Sequence, residues 1–169
     1  RSNLLRLADY ALSTRDSMYV PRAKAVRELL SAFDTDTVFP TMPELEEALS
    51  CIGRNGLVET VHHGEITLGS VLVSQKPGDG SAREYAATCQ RMLGGVANIC
   101  REYATKRYRS NLINWGMFPF TAENVEAFTV NSFVFIPNLR KAVETKKELV
   151  TAYILGDKIK TVELFLAPL

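Results

Sequence analysis

The stretch Lys76-Pro77-Gly78-Asp79-Gly80-Ser81-Ala82-Arg83-Glu84 follows residues 65–74, which are rich in Val, Ile and Leu, and leads into helical spacing over residues 81–93. That order reads as a strand, a glycine turn and a helix start. A helix entered in this way turns backbone N–H groups and its positive dipole end toward the Ser81 side chain, a spot that suits a carboxylate or phosphate. Two plainer readings stand beside it. Ser81 can serve as the N-cap, and Arg83 as a solvated first-turn residue.

Downstream of this turn, residues 96–100 read as a short strand, followed by a helix that runs to Trp115 and is closed by Gly116 and Pro119. Residues 131–136, 148–155 and 158–166 alternate as strands do, and Gly156-Asp157 joins the last two as a hairpin. Upstream, apolar spacing predicts a helix over 21–33. A second helix is expected over 42–52, where Pro43 precedes Glu44, Glu46 and Glu47 and Gly53-Arg54-Asn55-Gly56 ends the run. Residues 57–62 and 65–74 read as two strands about Gly64. Strands alternating with helices define an α/β layer.

Composition narrows the function. The 169 residues fit one domain, and an apolar share of 46% fills a substantial core. A net charge of +1, with no Lys/Arg run, argues against a nucleic-acid footprint. No apolar stretch reaches the roughly 20 residues that span a bilayer, and no signal-peptide core opens the chain. The expectation is a soluble, cytoplasmic protein without membrane or nucleic-acid partners. The chain opens at Arg1 without methionine, so it reads as a fragment of a longer polypeptide. Cys51, Cys89 and Cys100 are odd in number and lack Cys-x-x-Cys spacing, so they read as structural. His62 and His63 are neighbours on an expected strand and point to opposite faces, which disfavours a shared metal. Asp34 and Asp36 read as a polar loop or helix cap. The tetrapeptide Arg-Ser-Asn-Leu occurs at 1–4 and 109–112, but the flanking residues do not repeat.

Three ordered blocks carry a resemblance. Gly80-Ser81-Ala82-Arg83-Glu84-Tyr85-Ala86-Ala87, Leu93-Gly94-Gly95 and Asn111-Leu112-Ile113-Asn114-Trp115-Gly116-Met117-Phe118-Pro119 closely resemble the swivel domain of the aconitase family. There the usual text is Gly-Ser-Ser-Arg-Glu-His-Ala-Ala, a Leu-Gly pair and Asn-Leu-Ile-Asn-x-Gly-x-Leu-Pro. Arg1-Ser2-Asn3-Leu4 resembles the segment in which that family places another substrate-binding arginine. The resemblance covers about residues 1–20 and 66–125, and about 22–64 read as an insertion.

The resemblance implies an α/β fold of the three-layer β/β/α swivel type over residues 1–169. It also implies hydration and dehydration of a hydroxy-di- or tricarboxylic acid at a [4Fe-4S] cluster held by other domains of the full-length protein, which would be this chain's partners. By that resemblance Ser81 is the base, Arg83 and Arg1 grip substrate carboxylates, and Gly80 and Ala82 lie at substrate-binding positions. No residue here is implied as a metal ligand, so the isolated chain would be colourless and inactive. Arginine suits the role because its planar fork binds a carboxylate bidentately and stays charged. Departures are Ala82 for a second serine, Tyr85 for a histidine, and Arg101-Glu102-Tyr103-Ala104-Thr105 for Lys-Ser-Phe-Ala-Arg. Two other readings remain open at this point, an isopropylmalate dehydratase-type small subunit and a noncatalytic carboxylate-binding or assembly module.

Overall fold

Parallel strands cannot be joined by a tight hairpin and need a crossover of about a dozen residues or more, usually a helix. The computed structural model, which describes residues 2–14, 16–34, 43–58 and 66–166, contains two such crossovers in succession. Strand β1 (Ser70–Ser74) leads through α4 (Arg83–Met92) to β2 (Gly95–Cys100), and β2 leads through α5 (Lys106–Asn114) to β3 (Phe118–Thr121). The strands β1, β2 and β3 are mutually parallel neighbours. Three helices precede them, α1 (Ser2–Ser13), α2 (Tyr19–Asp34) and α3 (Pro43–Arg54).

The C-terminal part is antiparallel. Strand β4 (Phe133–Phe135), helix α6 (Leu139–Glu144), β5 (Leu149–Leu155) and β6 (Lys160–Leu166) follow a 3-10 turn at Val125–Ala127. The result is one six-stranded mixed sheet in the order β1-β2-β3-β6-β5-β4. The halves meet where β3 pairs with β6, a ladder that covers only Phe120 and Thr121 on the β3 side. Mixed α/β architecture with helices packed on a curled sheet agrees with the expected swivel-type fold.

Alternation along β2 sorts the core. Ala97 and Ile99 face a cluster with Phe120, Val150, Ala152, Leu164 and Ala142 of α6. Asn98, between them in sequence, is fully buried and points instead to α5, as the period of two requires. On that helical side Ala87 of α4 packs with Tyr108 and Leu112 of α5 and with Met117. A third cluster joins Ala8 of α1 and Val20 and Ala23 of α2 to Cys89 and Leu93, so α1 and α2 rest on α4.

Two buried amides converge on one hydroxyl. Gln90 of α4 donates Nε2 to the Tyr108 hydroxyl at 2.9 Å, and Asn98 of β2 donates Nδ2 to it at 3.0 Å. Burial pushes the Tyr108 phenol above its ordinary range, although the Gln90 and Asn98 hydrogen bonds pull the other way. It therefore stays neutral and serves as an acceptor.

The helices over 21–33 and 42–52, the strand over 96–100 and the C-terminal hairpin all match the sequence reading within a few residues. The strand expected over 65–74 is shorter, since residues 66–69 are irregular and β1 holds only Ser70–Ser74. Of the strand expected at 57–62, Leu57 and Val58 form none, while the rest, with His62, His63 and the turn at Gly64, lies outside the described residues. Asp34 ends α2, and Asp36 likewise lies outside. The sequence reading had no element for α1, β3 or α6. Pro119, read as closing a helix, sits inside β3, at a position where the short β6 ladder asks for no donor.

Replacing Tyr108 by Phe strands the Gln90 and Asn98 amide donors in the core. The expected cost is about 1–3 kcal/mol per stranded group at most, read as a lower urea midpoint at unchanged m-value.

Candidate active site

The glycine turn is stitched to the segment that opens α5. The Arg101 and Glu102 N–H groups donate to the Gln75 carbonyl at 3.2 Å, and the Ala104 N–H donates to the Pro77 carbonyl at 3.0 Å. Thr105 caps α5 by accepting the Tyr108 N–H at 3.3 Å, and its own hydroxyl donates to the Gly78 carbonyl at 3.1 Å. Gly78 has φ +94°, and a Cβ there would stand 2.4 Å from the Tyr108 Cβ. Only glycine satisfies both the left-handed backbone and the close approach. Gly80 differs, because a Cβ there would meet nothing within 4 Å.

Ala82, not Ser81, occupies the N-cap of α4, and no side chain caps that end. The reading of Ser81 as an N-cap is thereby corrected. The uncapped first turn leaves backbone donors that a side chain would otherwise engage. Ser81 is exposed beside this turn. Arg83 is half-buried, and its guanidinium folds back to donate from Nη1 to the Gly80 carbonyl at 2.9 Å.

Ser81 and Arg83 line one open pocket of about 410 Å³ together with Lys106, Arg107 and Ser110 of α5. Glu84 and Asn111 complete its wall. The Glu84 carboxylate is engaged, accepting hydrogen bonds from Asn111 Nδ2 and, at 2.6 Å, from Trp115 Nε1. Two of the sequence blocks, 80–87 and 111–119, thus meet physically through Glu84. The third, Leu93-Gly94-Gly95, ends α4 and opens β2. A Cβ at Gly95 would come within 2.8 Å of the Gln90 carbonyl, so its need for glycine is a packing need.

The remaining sequence candidates divide clearly. Gly80 and Ala82 flank Ser81 in the turn and are exposed. Arg1 lies outside the described residues, while the helix that begins at Ser2 packs on α4 through Ala8. Tyr85, at the position where the resembling family has histidine, does not line the pocket and packs against the core formed with α1 and α2. Lys106, Arg107 and Ser110 carried no signal as site residues, because only the packing of α5 on α4 brings them to Ser81.

Cys51, Cys89 and Cys100 are buried free thiols on α3, α4 and β2. Among the described residues no group of three His, Cys, Asp or Glu side chains could hold a metal. These residues therefore do not fit an iron-sulfur cluster. Burial pushes the Cys100 thiol up to about 11, and its S–H lies 3.7 Å from the Phe120 carbonyl.

Strand-turn-helix geometry with an uncapped helix start beside cationic side chains defines a mixed α/β domain with an anion-competent site. Comparison with known proteins adds a resemblance. Residues 60–125 match the aconitase C-terminal domain, and the homoaconitase small subunit of Thermus thermophilus is 42% identical over 62 residues. That alignment covers 36% of this chain and 37% of the relative's length. The similarity lies in the central segment of the chain. Among the described residues no helix is long and apolar enough to cross a membrane.

Two outcomes follow from the geometry. Trp115 is the sole tryptophan of the sequence, so Glu84→Gln, which weakens the charge-assisted bond to its indole, is expected to shift intrinsic fluorescence while the far-UV circular dichroism stays unchanged. At pH 8 the Cys100 thiolate is on the order of one part in a thousand of the total, given a thiol pKa of about 11. Mass spectrometry after iodoacetamide treatment should find Cys100 unmodified until denaturant unfolds the chain.

Proposed function

We propose that residues 1–169 form the swivel domain of an aconitase-type hydro-lyase, with an insertion at about 22–64, acting on a hydroxy-di- or tricarboxylic acid. The observation that carries this reading is that Ser81 and Arg83 line one open pocket at an uncapped helix start. A proton alpha to a carboxylate is weakly acidic, so its removal needs a positioned base and cations that stabilise the carbanion-like carboxylate. Ser81 Oγ takes that proton, and Arg83 holds the carboxylate whose charge grows. Arg1 holds a further substrate carboxylate. Gly80 leaves room for the substrate to approach the turn, and Ala82 offers no hydroxyl of its own, so its contact with substrate is limited to backbone and methyl.

A serine hydroxyl does not ionise at neutral pH through a helix dipole alone, whose effect is about 1 kcal/mol. The free amides of the turn, the Arg83 guanidinium and exclusion of water on domain closure supply the remainder. Departure of hydroxide requires a Lewis acid. In this reading the acid is a [4Fe-4S] cluster on other domains, because this chain's described residues do not fit one. The similarity to a small subunit favours a cluster-bearing part on a separate chain. A protein of this kind works in a soluble compartment, and we assign it to the cytoplasm. Alone, the chain is inactive.

Ser81→Ala in the cluster-loaded complete protein is expected to lower kcat for hydration of cis-aconitate or a related unsaturated acid by about 10²–10⁴-fold, with KM changed only slightly because Arg83 remains. Its stability should hold within about 0.5 kcal/mol of wild type, as for a surface change that removes no cap. Undiminished turnover in this variant would favour the noncatalytic carboxylate-binding module.

A further inference from the structure

Lys106 and Arg107 begin α5 and face the Ser81 pocket, although neither belongs to the glycine turn. Helical spacing sets Lys106 beside Ser110, and Arg107 beside both Ser110 and Asn111, so one face of α5 forms the pocket's far wall. Three cations, Arg83, Lys106 and Arg107, therefore confront a single carboxylate, Glu84. That carboxylate is already bound by Asn111 and Trp115. Among the described residues none of the three cations forms an ion pair. No apolar side chain lines the pocket.

We infer that Lys106 and Arg107 form a further anion subsite, one that takes a substrate carboxylate other than those held by Arg83 and Arg1 and so selects tricarboxylic over apolar-branched dicarboxylic acids. The inference rests on the hydro-lyase reading for its substrate and on the lining for its chemistry. An apolar branch gains by leaving water for an apolar wall. Here it would instead displace water from charged groups without replacing the lost hydrogen bonds. A carboxylate meets the Lys106 and Arg107 cations and the N–H groups that open α4, while the Ser110 hydroxyl is already engaged, donating to the Lys106 carbonyl at 3.1 Å. Charge-assisted bonds of this type are the strong ones. Because Lys106 and Arg107 are exposed, their grip is weak in the open domain and strengthens as closure removes water.

The test uses the complete, cluster-loaded protein and its Lys106→Gln, Arg107→Gln variant. Initial rates are taken on cis-aconitate and on an unsaturated dicarboxylic acid carrying an isopropyl branch, alongside equilibrium binding of the unreactive tricarboxylate tricarballylate. The expected result is a fall of about 10- to 100-fold in the tricarboxylate-over-diacid preference in kcat/KM, carried mainly by KM for cis-aconitate. Tricarballylate binding should weaken by a similar factor, and Lys106→Arg should retain most of it. A double variant with wild-type preference and wild-type tricarballylate affinity overturns the subsite and leaves the hydro-lyase reading standing. Absence of turnover on both acids, with tricarballylate binding that still depends on Lys106 and Arg107, overturns the hydro-lyase reading and leaves the subsite standing.

Discussion

The site depends on the burial of one phenol. Tyr108 enters from α5, receives hydrogen bonds from Gln90 of α4 and Asn98 of β2, and presses on Gly78 of the turn. Four successive segments are thereby fixed at one point. A hydroxyl in an apolar interior is costly without partners, so its donors are held tightly. The same contact sets the height of the glycine turn, because the space that a Cβ at position 78 would need is filled by the Tyr108 side chain. Ser81 and Arg83 take their positions from that turn, and the cations of α5 take theirs from the first turn of the helix that carries Tyr108.

Polar stitching then aligns the two walls of the pocket. Thr105 binds both the Gly78 carbonyl and the α5 backbone, while Glu84 reaches from α4 to Asn111 and Trp115 near the far end of α5. The helices are pinned near both ends and the groove between them stays open. An open groove bearing unpaired cations has little to bind by itself in water, where exposed ion pairs contribute little. Covering it with another domain changes that balance, because each charge then interacts at lower effective dielectric. The arrangement fits a domain that contributes half of a site.

Much of this was legible from residues alone, for local reasons. Glycines at 78 and 80 after a β-branched run announced the turn and the helix start, and Gly156-Asp157 announced the terminal hairpin. Strand β3 was not legible, because Phe118-Pro119-Phe120-Thr121 is short and holds a proline that is tolerated only where a ladder is incomplete. Helix α1 carried its signal in the spacing of Leu5, Ala8 and Leu12, which the Arg-Ser-Asn-Leu motif at its start obscured. Glu84 and the pair Lys106 and Arg107 belong to another category. Their partners lie more than 20 residues away, and no local period reports a contact made by helix packing. Ser81 was readable as a site residue or as a cap, and the backbone at Ala82 removes the second reading.

The proposed role of this domain is to complete a hydro-lyase site whose metal centre lies elsewhere. Its most direct test is the anaerobic rate of cis-aconitate hydration by the cluster-bearing part, measured with this domain present and with it omitted. Hydration is expected only when the domain is present, saturating at one domain per cluster. Equal rates with and without the domain would contradict it.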